Sequence, residues 1–507
     1  MRRSGILCPI LSLPSKGGIG CFSKEALEFI DFLEEAGQSL WQVLPMGPTG
    51  YGDSPFQSFS TFAGNPYFIS PEELQKEGLI EEADYIYTDY GQDPEHIDYE
   101  KIYMNRYPML RKAYANFKTS ADAESKEAFE KFKKENKDWL DDYILYTAIK
   151  NSQGGIAWSE WPDQLSDYHS KAVKDARVSL ADEMDFWAFL QYEFMKQWTV
   201  IHDYAAKKNI RIIGDIPIYV SADSADVWAS PSLFQMDEDN HPTAVAGCPP
   251  DPFCEDGQLW GNPLYNWEKQ KKTGYKWWIS RMKRCFELFD VVRIDHFRGF
   301  DEYFSIPYDD LDAHKGKWMP GPGMDFFNAL KEALGDHIDI IAEDLGLITP
   351  TVRKLLKDSG FPGMKVIQFA FDGNSENDYL PFNLTKNSVV YTGTHDNETT
   401  YGWIQSISDD TREQARHVTH SFFTDYRAFT WDLIRTAQCA VCDTCVIPIQ
   451  DYLCKDNDAR MNAPATTGGN WQWRLRPGEA SMELAKGIRE ITETYGRCKK
   501  RPKKKEV

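Results

Sequence analysis

The sequence has no run of about 18 consecutive apolar residues, so no membrane-crossing helix is expected. It is also short of positive charge: 57 Lys and Arg stand against 78 Asp and Glu, a formal net charge of −21. Phosphate contacts need clustered Lys and Arg, so nucleic acid is not an expected partner. The one basic run, Arg497–Lys505 within a 497–507 tail, reads as a solvated, frayed terminus. Cysteine is thin, 10 in 507 residues, and lies mostly inside apolar segments rather than at the density of a disulfide-stapled scaffold. No internal repeat or low-complexity tract stands out. The stretch from Ser4 to Leu13, bounded by Pro14 and Gly17-Gly18, reads as a buried strand and lacks the long apolar core of a secretory leader, so a reducing cytoplasm is expected.

What the chain does have is rings. Aromatic residues make up 14% and Trp alone numbers 16, enough to fill a large core and also to stack on sugar faces; composition does not separate the two uses. The length suits one large barrel with insertions, or two to four domains. Eight short runs rich in Ile, Val and aromatics end in polar residues: Gly5–Leu11, Trp41–Leu44, Ile210–Val220, Phe289–Asp295, Ile338–Asp344, Met364–Phe371, Ser388–His395 and Thr444–Gln450. Helix-like stretches such as Lys24–Glu35, Asp325–Leu334, Pro350–Leu356 and Thr411–Ile434 lie between many of them. Alternating strand and helix predicts an α/β fold with parallel strands, and eight strands fit a (β/α)₈ TIM barrel; an open doubly wound sheet is the competing layout. The wide gap between Leu44 and Ile210 predicts an inserted helical subdomain over roughly 98–207. A Pro-, Gly-, Asp- and Trp-rich stretch over roughly 221–272 predicts a loop-rich insertion covering the cleft. No separate C-terminal β-sandwich domain is expected.

In a parallel barrel the active site lies at the carboxyl ends of the strands. The third run ends in Gly214-Asp215-Ile216, the fourth in Arg293-Ile294-Asp295-His296, the fifth in Ala342-Glu343-Asp344 and the seventh in Thr394-His395-Asp396-Asn397. Four strand ends thus bring carboxylates to one mouth. Crowded like charges push one pKa up and leave another group ionised, which supplies an acid beside a nucleophile. Retaining glycoside chemistry needs such a pair, about 5–5.5 Å apart. Arg293, two residues before Asp295, shares its face of the strand, and its cation would hold Asp295 deprotonated and oriented. The competing reading of each acid is a cap on the next helix. A divalent cation held by His296, His395 and the acids is another, but no HExxH or comparable ligand set is present.

At this point the chain resembles the 4-α-glucanotransferases, also called amylomaltases or disproportionating enzymes, family seventy-seven of the glycoside hydrolases in the α-amylase clan. The resemblance runs from Ser4-Gly5-Ile6-Leu7 to Gly469-Asn470-Trp471-Gln472-Trp473-Arg474. Between these lie Trp41-Gln42-Val43-Leu44-Pro45, Gly47-Pro48-Thr49-Gly50-Tyr51-Gly52-Asp53-Ser54-Pro55, Gly247-Cys248-Pro249-Pro250-Asp251 and Gly257-Gln258-Leu259-Trp260-Gly261-Asn262-Pro263. The resemblance implies that Asp295 is the nucleophile, Glu343 the general acid/base and Asp396 the third carboxylate, which grips sugar hydroxyls. It implies further that Arg293 and His395 orient the nucleophile and hold the sugar, and that Asp215 is the acid after the third strand. Tyr51, Ser54, Phe56, Gln258, Trp260 and Asn462 are implied glucan contacts, with Cys248–Trp260 an arching loop. Phe56 departs from the family's usual Tyr, keeping the ring face and losing a hydroxyl, and Ala465 replaces a common Gly after Pro464.

The implied activity transfers a segment of an α-1,4-glucan to the 4-hydroxyl of an acceptor sugar, on maltooligosaccharides, amylose and glycogen-like polymers, without metal or organic cofactor. An α-amylase-like hydrolase on the same barrel and a non-catalytic glucan-binding protein are the rival readings. Cys439, Cys442, Cys445 and Cys454 form C-x₂-C-x₂-C-x₈-C, read as packing residues in preference to a metal or iron–sulfur site. The Trp-rich segments 157–161 and 186–198 read as core.

Overall fold

A computed structural model describes residues 2–50, 52–250, 255–422, 424–466 and 468–499. Its strands, in chain order, are β1 (Arg3–Leu7), β2 (Leu40–Gln42), β3 (Arg211–Pro217), β4 (Ala244–Cys248), β5 (Gln258–Pro263), β6 (Val291–Asp295), β7 (Glu302–Pro307), β8 (Lys317–Pro320), β9 (Ile340–Ala342), β10 (Gly363–Val366), β11 (Ser388–Tyr391) and β12 (Thr444–Pro448). Eight of them close into a parallel barrel in the order β1-β2-β3-β6-β9-β10-β11-β12. The order follows the sequence once β4, β5, β7 and β8 are set aside, as right-handed crossovers require. The chain is a (β/α)₈ TIM barrel, and each of its eight strands overlaps one of the eight apolar runs.

The barrel interior is built in layers by alternate residues. A lower layer of Leu7, Leu40, Ile213, Val291, Ile341, Val389 and Val446 is apolar and buried. Two residues further along, the same inward faces become polar: Asp215 follows Ile213, and Arg293 and then Asp295 follow Val291. The strand period of two therefore carries the chain from core to chemistry without any change of conformation.

β4, β5, β7 and β8 form a second, antiparallel sheet in the order β5-β4-β7-β8, with a bulge between Val245 and Gly247. Reading the sequence for period and turn signals does not find this sheet, because its strands are short and interrupted by Gly and Pro. Several runs also extend past their strands: Met364–Phe371 covers all but the first residue of β10 and then a 3₁₀ turn at Ile367–Phe369. The helix-like stretch Thr411–Ile434 is two helices, Asp409–Thr419 and Tyr426–Cys439. His420 closes the first in the left-handed region (φ 53°), and the Asp425 side chain caps the second. Among the described residues no helix is long and apolar enough to cross a membrane.

Between β2 and β3 run the helices Tyr99–Ser120, Ala123–Glu135, Lys137–Ser152 and Ala181–Lys207. The last is the longest, and Trp187 and Trp198 on it are buried, as are Trp158 and Trp161 before it. Its Gln191 accepts from Gly64 N–H at 2.7 Å and donates to Gly64 C=O at 2.8 Å. Gln197 accepts from Ser70 N–H at 2.7 Å. The helix thereby pins the segment after β2, which carries Phe56 toward the mouth.

Candidate active site

Backbone register sets the first pair of acids side by side. Ile294 on β6 pairs with Ala342 on β9, so Asp295 and Glu343 are the next residues on neighbouring parallel strands. Such strands lie about 4.8 Å apart. The ladder continues one step beyond the strands, since Glu343 N–H donates to Ile294 C=O at 3.1 Å and Phe297 N–H to Glu343 C=O at 3.1 Å. His296 between them takes the left-handed conformation (φ 54°), a turn that local strain makes costly for a non-glycine residue. That turn aims His296 N–H at Glu343 Oε2, 2.7 Å away, while Leu345 N–H reaches Oε1 at 2.8 Å.

Arg293 is the cation beneath this pair. One amino group contacts both Asp215 oxygens, at 2.7 and 2.8 Å, and the other lies 2.9 Å from Asp295 Oδ1. Its Nε–H points at Met364 Sδ, 3.3 Å away, so each part of the guanidinium has a partner. Asp215 and Arg293 are buried, at 0% and 2% exposure, so they underpin the mouth from the barrel interior. Burial pushes the Asp215 carboxyl up to about 6 against the pull of Arg293, which leaves it ionised at neutral pH. Arg293, although buried, is held firmly protonated by Asp215, Asp295 and Glu343.

Glu343 differs. Burial, and then the Asp295 charge, push its carboxyl up to about 8, beyond what Arg293 and two backbone N–H groups restore. Its neighbour Asp344 points elsewhere and accepts from Met364 N–H at 2.6 Å. A Cβ at Gly363 would lie 2.6 Å from an Asp344 oxygen, so only glycine fits where β10 begins.

The β11 end delivers His395 and Asp396. The imidazole Nε2 lies 3.3 Å from Asp396 Oδ2, and Asn462 Nδ2 donates to Asp396 Oδ1 at 2.7 Å. Burial works against the Asp396 charge, but His395 and Asn462 outweigh it and hold the carboxyl well below its usual range. Burial likewise opposes a charged His395, and Asp396 reverses this and raises its pKa. Phe56 stacks on the His395 ring at 5.1 Å with a 21° interplanar angle, and Trp471 lies 5.8 Å from Phe56 and 6.0 Å from His395.

From the second sheet, β5 brings Gln258 and Trp260. The Trp260 indole donates to Gln258 Oε1 at 3.0 Å and meets the His296 ring edge to face at 4.9 Å. Ser54 Oγ accepts from Phe56 N–H at 3.3 Å, so its visible part is in the turn that sets Phe56. Tyr51 lies outside the described residues. Among the described residues, the imidazole nitrogens His296 Nε2 and His395 Nδ1 are buried without a hydrogen-bond partner.

A family profile described as 4-alpha-glucanotransferase matches residues 8–481. The chain belongs to that family. It is 46% identical over 490 residues to a 4-alpha-glucanotransferase of Clostridium butyricum, covering 96% of this chain and 99% of that one. It is 44% identical to a 4-alpha-glucanotransferase of Thermus thermophilus, covering 98% and 99%. The fold matches an amylomaltase of Streptococcus agalactiae, solved in complex with acarbose, with TM-score 0.95, 41% identity and coverage of 98% and 100%.

Within this 4-alpha-glucanotransferase fold, three residues near the acids escape the sequence reading. Met364 was detectable, since it opens an apolar run and faces inward by period. Trp471 stands in a block that resembles the family, but a ring in a loop carries no positional signal. Arg460 donates to Asp396 C=O at 2.7 Å and to Asn462 C=O at 2.7 Å, and so ties the Asn462 loop to the β11 end. Nothing in the spacing announces it. The cysteines Cys442, Cys445 and Cys454 are buried and Cys439 is exposed, all free thiols. Among the described residues no group of three or more His, Cys, Asp or Glu side chains is arranged to hold a metal.

Proposed function

We propose that Asp295 and Glu343 carry the reaction of this 4-alpha-glucanotransferase by two displacements at one anomeric carbon. The observation that carries the reading is the pair of adjacent carboxyls with opposite environments. Asp295 faces a guanidinium at 2.9 Å, and Glu343 keeps its proton to about pH 8. Glu343 protonates the glycosidic oxygen while Asp295 attacks the anomeric carbon, and the distal glucan departs. Glu343, now a base, takes the proton from the 4-hydroxyl of an incoming sugar, which displaces Asp295 with net retention.

Asp396 and His395 hold hydroxyls of the sugar at the cleavage point, with Asn462 orienting Asp396. The unpartnered His395 Nδ1 and His296 Nε2 are available to further hydroxyls. Phe56 serves as the stacking face, Tyr51 as a further glucan contact, and Gln258 and Trp260 close over the sugar from β5. The stretch 221–272 acts as the cover that keeps water from competing with the acceptor. The helical block over 98–207 is an insertion that braces the cleft, and the substrates are α-1,4-glucans from maltooligosaccharides to amylose and glycogen. A cytoplasmic location belongs to the same reading and is supported by the buried free thiols of Cys8, Cys21, Cys285, Cys442, Cys445 and Cys454.

Incubation with maltotriose tests the activity: glucose plus longer oligomers is expected, and shortening alone would mean hydrolysis. Asp295→Asn should abolish turnover while maltotriose binding remains measurable by calorimetry. Retained turnover would remove Asp295 from its role.

A further inference from the structure

Outside the carboxylate mouth, a cavity of ≈ 270 Å³ opens between the helices Lys137–Ser152 and Lys276–Leu288. Its walls are Trp139 and Trp277, both half-buried, with Phe62 between them. Phe62 stacks on Trp139 (6.4 Å, 13°) and meets Trp277 edge to face (6.1 Å, 85°). None of its lining residues belongs to the proposed catalytic set, so the reaction leaves this cavity unexplained.

The charges around it select the kind of ligand. Glu135, Asp138, Asp142, Asp226 and Glu287 are among its lining residues, which disfavours an anion. A cation would be drawn to the indole face, but the Arg284 guanidinium already lies 4.9 Å from the Trp139 ring. Arg284 is in turn fixed, donating to Phe62 C=O at 3.1 Å and to Glu287 at 3.1 Å. What remains is a neutral molecule with an apolar face for the rings and hydroxyls that both donate and accept. Carboxylate oxygens accept from such hydroxyls, and exposed Lys283 and Ser280 donate to them.

We propose that this cavity is a second glucan-binding site, which holds a remote stretch of the polymer while another stretch reacts. The choice of an α-glucan among neutral polyols rests on the transferase reading above. Ser60 and Phe62 of the cavity lie on the same segment as Ser54 and Phe56 of the mouth, so one loop serves both places. Tethering a long chain at a second point raises the local concentration of its other units at the mouth. Short substrates gain nothing from it.

The test compares kinetics on maltotriose and on amylose for Trp277→Ala and for Ser280→Trp. The second variant fills the cavity from its exposed rim and leaves the core untouched. Both should raise KM for amylose by about tenfold, with kcat and all maltotriose kinetics unchanged. Retardation of the Asp295→Asn protein in amylose-containing gels should weaken when either change is added. An unchanged amylose KM in Ser280→Trp overturns the proposal, as does an equal loss on maltotriose. Failure of the wild-type protein to lengthen maltotriose would instead strike the transferase reading itself.

Discussion

Glu343 after β9 and Asp396 after β11 stand at the same rim, each with two hydrogen-bond donors, yet their pKa values move in opposite directions. Glu343 has two backbone N–H groups and an anionic neighbour, Asp295. Asp396 has an amide and an imidazole whose pKa it raises against the effect of burial. The number of hydrogen bonds therefore does not set the proton affinity; the sign of the nearest charge does. One barrel makes a proton donor and a permanent anion from the same functional group by choosing that neighbour.

The largest break in the contrast is Glu343→Gln, which removes the donor and keeps the shape. Turnover should fall by about 10²–10⁴-fold, and the basic limb of the wild-type kcat/KM profile, expected near pH 8, should vanish from the residual activity. The same change should stabilise the protein in alkali. The folded chain keeps this proton to about pH 8, whereas a free glutamate loses it near 4.5. Folding must therefore hold a proton that the unfolded chain has released, and stability falls as pH rises between those values. Thermal melts should show Glu343→Gln above wild type at pH 9 and level with it at pH 4.

Next in size is Asn462→Ala. Asp396 loses a donor and its pKa rises toward the usual range, so activity should drop by about tenfold, and further at the acid end of a pH series. Met364→Leu conserves volume and deletes only the sulfur that receives Arg293 Nε–H. About a threefold loss in kcat is expected, with KM unchanged and a melting temperature within about 2 °C of wild type. The smallest effect is at Ala465, in the loop that follows Asn462, where φ is 62°. Ala465→Gly relieves left-handed strain at some entropic cost, and denaturant melts should show a gain of about 0.5 kcal/mol.

The contrast also marks how far the sequence is legible. β6 can be read directly: Val291, Arg293 and Asp295 alternate inward, and the Arg293–Asp295 pairing follows from period two. All eight barrel strands show as apolar runs because each must be buried on both faces. Trp471 and Arg460 illustrate the opposite case. They reach the site through loops, and their partners lie far along the chain. Local pattern has no term for such meetings. The second sheet was hidden for a related reason, since β4 and β5 pair with each other and β4 also pairs with β7, beyond the strand that carries Asp295.

That pairing of β4 with β7 has a mechanical consequence. β4 and β5 belong to the connection between β3 and β6, while β7 and β8 belong to the connection between β6 and β9. Two successive excursions of the barrel are laced into one plate by backbone hydrogen bonds. Gln258 and Trp260 at its edge thus travel with the chain that leaves Asp295, and under the proposed function admitting a long polymer means swinging a stiff flap rather than parting two slack threads.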